Sequence, residues 1–78
     1  MNMNSLVYHK LNDLFYNWMS INDLDEFALM DPVRSAHFAA YAMDNARNLV
    51  DCWDIRNFVE MINNDVRGAE KQTNKQYD

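Results

Sequence analysis

Glycine, proline and cysteine are nearly absent from this sequence, whose 78 residues include one of each. A small β-barrel or β-sandwich needs turn residues every few positions, so the scarcity of glycine and proline disfavours both folds. The lone Cys52 cannot form an internal disulfide, whereas small secreted domains usually carry several cysteines. We therefore expect a protein of the reduced, cytoplasmic compartment.

Segments that would direct the chain to a membrane are also missing from the sequence. The first residues carry no basic stretch followed by a long apolar run, so we expect no signal peptide. No apolar stretch approaches the roughly 20 residues that span a bilayer. We accordingly expect no membrane contact.

Basic residues are few and scattered along the chain. The formal net charge is −5, and the bases before the C-terminal tail are Lys10, Arg34, Arg47 and Arg56. Binding to nucleic acid draws on clustered Lys and Arg that face phosphates, so direct nucleic-acid binding is disfavoured. A protein partner with a basic surface is compatible with this charge.

Apolar residues, by contrast, make up 49% of the chain and aromatic residues 13%, which is the composition of a globular domain. Their spacing predicts an all-α fold, a small bundle of three to four helices at about 5–19, 23–30, 32–51 and 54–66. We expect one helical domain over residues 1–66. The polar residues 67–78 have almost nothing to bury, so we expect a mobile C-terminal tail.

The first helix is marked by apolar residues at three- and four-residue steps, with Asn4 or Ser5 as its cap. These apolar residues are Val7, Leu11, Leu14, Phe15 and Trp18. A break is predicted at residues 20–23, where Ser20 or Asn22 would cap a short second helix.

The two ends of this second helix carry different signals. With Ser20 as its cap, Met19 and Leu24 occupy the positions of a hydrophobic staple. At the other end, a proline disfavours the helical conformation in the residue before it and fits the first position of the next helix. Asp31 is therefore predicted to cap the third helix, with Pro32 as its first residue.

The third and fourth helices are distinguished by a change in the phase of the apolar face. One stripe holds Ala36, Ala40, Met43, Val50 and Trp53, and the next holds Ile55, Phe58, Val59, Ile62 and Val66. The change predicts either a break, capped by Asp51 or Asp54, or one bent helix. Gly68 is predicted to end the last helix in the left-handed conformation.

An acidic segment, INDLDEFALMD at residues 21–31, holds four carboxylates and no base. Asp23, Asp25 and Glu26 would lie in the first turn of the second helix, where exposed amides and the helix dipole favour them. Catalytic carboxylates need a cleft and contrasting environments, which neighbours on one solvated turn lack. A calcium loop needs a glycine turn, and Phe27 and Leu29 stand where ligands should be. The alternative to a capped helix is a contact surface for a basic partner.

No set of residues predicts catalysis or metal binding. His9 and Asp13 have the spacing of a helical metal pair, but two ligands are too few. We interpret His37 as a histidine at the edge of the core, because no nucleophile stands in a recognisable context beside it. Cys52, next to Trp53, is interpreted as a small buried hydrophobe. We expect no catalytic residue, no metal and no cofactor.

Aromatic residues are more numerous than one small core can bury. Phe15, Tyr16 and Trp18 lie too close in sequence to face one core together, and Tyr8 could share a flank of the first helix with Tyr16. Exposed aromatic side chains are enriched in protein interfaces. The predicted partner-binding residues are therefore Asp23, Asp25, Glu26, Tyr8, Tyr16 and Trp18.

These observations favour a non-catalytic protein-binding module. The most specific form of the hypothesis is a small phage or mobile-element inhibitor that occupies a basic surface of a nucleic-acid-handling host complex. The alternative is a structural homodimer or small assembly subunit with no inhibitory role. An enzyme has the least support, because no catalytic set is found.

Overall fold

A computed structural model describes the backbone of residues 4–77 and the side chains of residues 4–68. All regular structure in this part is helical, which confirms the all-α prediction. Helix α1 spans Ser5–Asn22, α2 spans Pro32–Ala46 and α3 spans Cys52–Tyr77, with a short 3-10 segment at Ala28–Met30 between α1 and α2. Among the described residues, no helix is both long and apolar enough to cross a membrane.

Helix α1 begins where the sequence predicts. The side chain of Asn4 accepts a hydrogen bond from the N–H of Leu6 at 2.8 Å and so caps the first turn. The predicted apolar stripe is buried in full, at Val7, Leu11, Leu14, Phe15 and Trp18. The predicted break at Ser20 is wrong, because α1 continues to Asn22 before the chain turns.

The core is centred on three phenyl rings, one from each helix. Phe15 of α1 lies with its ring centroid 5.6 Å from that of Phe38 in α2 and 5.8 Å from that of Phe58 in α3. The rings of Phe38 and Phe58 are 6.0 Å apart. Edge-to-face and tilted pairs at these distances stabilise a core by about 0.5–1.5 kcal/mol each beyond the burial itself. The triangle therefore fixes the packing of the three helices.

The boundary at Asp31 and Pro32 is as predicted. Asp31 has an extended backbone, with φ −82° and ψ 121°, and its side chain accepts from the N–H of Val33 at 3.1 Å. Pro32 is the first residue of α2, where a missing N–H costs nothing.

Helices α2 and α3 are separate, so the break is the correct alternative and the single bent helix is wrong. Helix α2 ends at Ala46, five residues before the predicted end, and the N–H groups of Leu49 and Val50 both donate to the Ala46 carbonyl at 2.9 Å. Asp51 and Asp54 then form a capping box. Asp51 Oδ1 accepts from the N–H of Asp54 at 2.9 Å, and Asp54 Oδ2 accepts from that of Asp51 at 3.1 Å.

Two other predicted boundaries are wrong. Only the last three residues of the predicted helix at 23–30 are helical, and they form the 3-10 segment. Helix α3 runs through Gly68, whose φ is not positive, so this glycine does not end a helix. The backbone of residues 67–77 belongs to α3, and the predicted mobility of the tail at 67–78 lies mostly outside the described residues, whose side chains end at Gly68.

Candidate functional site

Three carboxylates follow the predicted stripe of α1, and their backbone forms a turn. Asp23 takes a left-handed conformation, with φ 54° and ψ 52°. Its N–H donates to the Ser20 carbonyl at 3.4 Å, and the N–H of Leu24 donates to the Met19 carbonyl at 2.9 Å. This is the Schellman pattern of a helix C-terminus. Met19 and Leu24 both pack against the core, so the pair predicted to begin a helix closes one instead.

Asp25 sets the direction of the chain beyond this helix end. Its Oδ1 accepts from the N–H of Phe27 at 3.0 Å, and its carbonyl accepts from that of Ala28 at 3.1 Å. A short acidic side chain that bonds two residues onward stabilises a turn. Ala28 and Leu29 are buried beyond it, whereas the Phe27 side chain stays 46% exposed. Residues 23–27 are called the acidic turn below.

No helix N-terminus favours the three carboxylates of the acidic turn, so this part of the prediction is wrong. The 3-10 segment has no acidic residue in its first turn. Asp23 instead stands at the C-terminus of α1, where the exposed carbonyls disfavour negative charge. Within residues 4–68, the ion pairs are Arg34–Asp31 and Arg47–Asp44, and neither involves the acidic turn. Its charges therefore face solvent.

The predicted aromatic residues do not form one surface. Trp18 is fully buried, and its indole N–H donates to Nδ1 of His37 at 3.0 Å, so it belongs to the core. Tyr8 is half-buried, with its ring 6.0 Å from that of Phe58. A separation of eight residues rotates a helical side chain by about 80°, so Tyr16 lies further round α1 than Tyr8, on a side where it is 62% exposed. Of the three, Tyr16 alone is mostly open to a partner.

A groove between α2 and α3 is a surface that the sequence reasoning missed. Its volume is about 830 Å³, within the usual range of binding clefts. The α2 side holds the small side chains of Ser35, Ala36 and Ala39, and the α3 side holds Ile55 and Val59. The sequence contains the alanines of α2, but it does not show which of them face α3, because that depends on how the two helices pack. We call this surface the α2/α3 groove.

The charged residues of the α2/α3 groove are mainly basic. Arg56 and Arg67 line it, together with one carboxylate, Glu60. Arg56 and Glu60 have the spacing of a helical ion pair, but no ion pair joins them. The guanidinium of Arg56 lies instead 5.7 Å from the ring centre of Trp53, a cation–π arrangement. Trp53 is 68% exposed at the groove.

Asn63 connects the α2/α3 groove to the segment that follows the acidic turn. Its Nδ2 donates to the Leu29 carbonyl at 3.1 Å, across 34 residues of chain. Its Oδ1 is buried and accepts no hydrogen bond within the described part. A buried unpaired oxygen costs about 1–3 kcal/mol. Because Asn63 also lines the groove, one end of the groove borders the 3-10 segment.

The described side chains include no cluster of three or more His, Cys, Asp or Glu that could hold a metal ion. His37 lies at the edge of the core, as predicted, with Nδ1 bound to the indole of Trp18. Cys52 was expected to be buried, but it is exposed as the first residue of α3. Cys52 and Trp53 are exposed because the buried face of α3 begins at Ile55 and neither residue lies on it.

No family model matches this chain, and no match is found among the curated proteins or the solved structures.

Proposed function

We propose that this protein is a non-catalytic protein-binding module that occupies a basic surface of a larger partner. The observation that carries the proposal is the acidic turn. Its carboxylates are exposed and make no ion pair within residues 4–68, and Phe27, which follows them in the same turn, is also exposed. Many interfaces combine an apolar anchor with neighbouring charges to obtain affinity and specificity.

The conformation of Asp23 supports this proposal. A left-handed backbone is less favourable for aspartate than for glycine, and a carboxylate at a helix C-terminus adds an unfavourable charge. Glycine would avoid both costs at this position. Residues that disfavour the fold are expected where a position serves another purpose, and binding is such a purpose.

The more specific form of the proposal is an inhibitor of a nucleic-acid-handling complex, of phage or mobile-element origin and acting in the cytoplasm. A net charge of −5 attracts the protein towards a basic groove before contact. The exposed, free Cys52 fits a reducing compartment.

A structural homodimer or assembly subunit is the second candidate function. The α2/α3 groove favours it, because an open apolar groove on so small a domain needs a cover. In this case the partner is the chain itself and no inhibition is involved.

The test is capture from a lysate with two immobilised variants of equal charge. The first carries Asp23→Asn, Asp25→Asn and Glu26→Gln and so neutralises the acidic turn. The control removes three other exposed carboxylates, with Asp13→Asn, Asp44→Asn and Asp65→Asn. We expect the parent and the control to retain the same protein at moderate salt.

The turn variant should lose this protein, because its contact carboxylates are neutral. The control has the same net charge but keeps the acidic turn, so it separates this effect from that of overall charge. An equal loss of the captured protein in both variants would show that overall charge alone attracts it. Unchanged retention in both variants would show that another surface makes the contact, and the proposal would be wrong.

A further inference from the structure

Two exposed surfaces of this chain have complementary chemistry. The acidic turn offers Asp23, Asp25 and Glu26 beside the exposed Phe27. The α2/α3 groove offers Arg56 and Arg67 against one carboxylate, over a mostly apolar lining. Neither arginine forms an ion pair within residues 4–68. The acidic protein thus places two of its few bases at a groove with a mostly apolar lining.

These two surfaces are joined by the segment between α1 and α2. Leu29 is hydrogen-bonded to Asn63, which lines the groove, and Pro32 lines it as well. Phe27 is two residues before Leu29, so its Cα lies at most about 7 Å from that of Leu29. The acidic turn therefore borders the end of the groove that Asn63 and Pro32 form.

The turn does not fill the groove of its own chain. Phe27 is not among the groove-lining residues. Its N–H donates to Asp25 and its carbonyl accepts from the N–H of Met30 at 3.1 Å, so both sides of its backbone are held in the turn. The backbone of Phe27 is thus held in the turn while its side chain stays 46% exposed, so the ring is available to a different molecule.

We propose that two copies of the chain form a closed twofold dimer in which the acidic turn of each copy covers the α2/α3 groove of the other. The adjacency of the two surfaces is what allows closure, because one twofold axis beside them brings both turns onto both grooves. Phe27 then enters the apolar groove, opposite Ala36, Ala39 and Val59. The carboxylates of the turn face Arg56 and Arg67 of the second copy, where desolvation strengthens charge-assisted contacts.

This inference rests on the second candidate function and deepens it, since it names the two surfaces through which two copies of the chain meet. The dimer covers the acidic turn, so a basic partner and a second copy compete for the same surface. The dimer is then a resting form that a tighter partner opens.

The test is a charge exchange between two variants, followed by sedimentation equilibrium. One variant reverses the turn, with Asp23→Lys and Glu26→Lys. The other reverses the groove, with Arg56→Glu and Arg67→Glu. All four positions are exposed, so the fold should tolerate each pair, and circular dichroism checks it. A control variant, Arg34→Glu with Arg47→Glu, makes the charge change of the groove variant at two arginines that do not line the groove.

The parent and the control should approach twice the 9.3 kDa chain mass as concentration rises. Each reversed variant alone should dimerise at least tenfold more weakly, because like charges meet at both contacts. An equimolar mixture of the two should dimerise as the parent does, since both contacts are again complementary.

A parent that stays monomeric to about millimolar concentration would overturn the proposal, since such a dimer would need Kd values below this range. Reversed variants that dimerise as well as the parent would also overturn it, as would a mixture that stays monomeric. Masses beyond two chains would show an open, head-to-tail assembly and would contradict the closed dimer. A monomeric parent would also remove the second candidate function, whereas the capture experiment tests the first candidate function separately.

Discussion

The indole N–H of Trp18 donates a hydrogen bond to Nδ1 of His37 at 3.0 Å and so joins α1 to α2. Trp18 is fully buried, and this imidazole is the partner of its one polar atom. Removing the acceptor should leave a buried donor unpaired. We therefore expect His37→Ala to lower the free energy of unfolding by about 1–3 kcal/mol, measured by chemical denaturation.

The matched control for His37 is His9→Ala, which removes an exposed histidine of α1. It should change the free energy of unfolding by less than about 0.5 kcal/mol. Equal losses in the two variants would mean that the indole does not depend on His37.

The cap of α2 can be separated from the ion pair that accompanies it. Asp31 accepts from the N–H of Val33 and also lies 3.9 Å from Arg34. Asp44 lies 3.8 Å from Arg47 but caps nothing. Exposed pairs contribute at most about 1 kcal/mol, and a lost cap typically costs about 1 kcal/mol more. Asp31→Ala should therefore lower the melting temperature clearly more than Asp44→Ala, and equal losses would exclude the cap.

Asp23, the left-handed residue at the end of α1, gives a prediction of increased stability, whereas the variants above lose stability. Asp23→Gly should stabilise the protein by about 1 kcal/mol, because relief of the backbone strain and of the unfavourable charge exceeds the entropy that glycine adds to the unfolded chain. Asp23→Asn keeps the size and removes the charge, so it should gain only a few tenths of a kcal/mol. Thermal unfolding measures both, and a loss of stability in the glycine variant would contradict the turn described for Asp23.

Gly68 provides a test of how far α3 extends. A Cβ at this position would have nothing within 4 Å, and the backbone is not left-handed. Gly68→Ala should therefore raise the free energy of unfolding by about 0.5–1 kcal/mol. D-alanine, introduced by chemical synthesis, should lower it. The reverse order would mean that Gly68 ends the helix as the sequence predicts.

The parts of the fold that the sequence predicts are those set by local chemistry. The cap at Asp31 and Pro32 depends on two neighbouring residues. The stripe of α1 follows from spacing alone, and all five of its predicted residues are buried. The change of phase near Asp51 likewise marks the break between α2 and α3.

The parts that the sequence does not predict depend on tertiary structure. Ser20 and Asn22 are suitable caps, but α1 runs through both because its last turn closes against the core through Met19 and Leu24. The burial of Trp18 requires an acceptor, and His37 is supplied by a helix 19 residues away. For the candidate site, the acidic residues were identified correctly as exposed, but their position at a helix end rather than a helix start was not.

The rate at which the protein associates with its captured partner tests the central proposal most directly. The turn variant and the equally charged control of the capture experiment would each be mixed with the captured protein, at low and at moderate salt. Carboxylates at an interface act mainly on the association rate, and salt screens them. We predict that the turn variant associates at least several-fold more slowly than the control at low salt, with a difference that shrinks as salt rises. Identical rates for the two variants at both salt concentrations would contradict the proposal that the acidic turn is the contact surface.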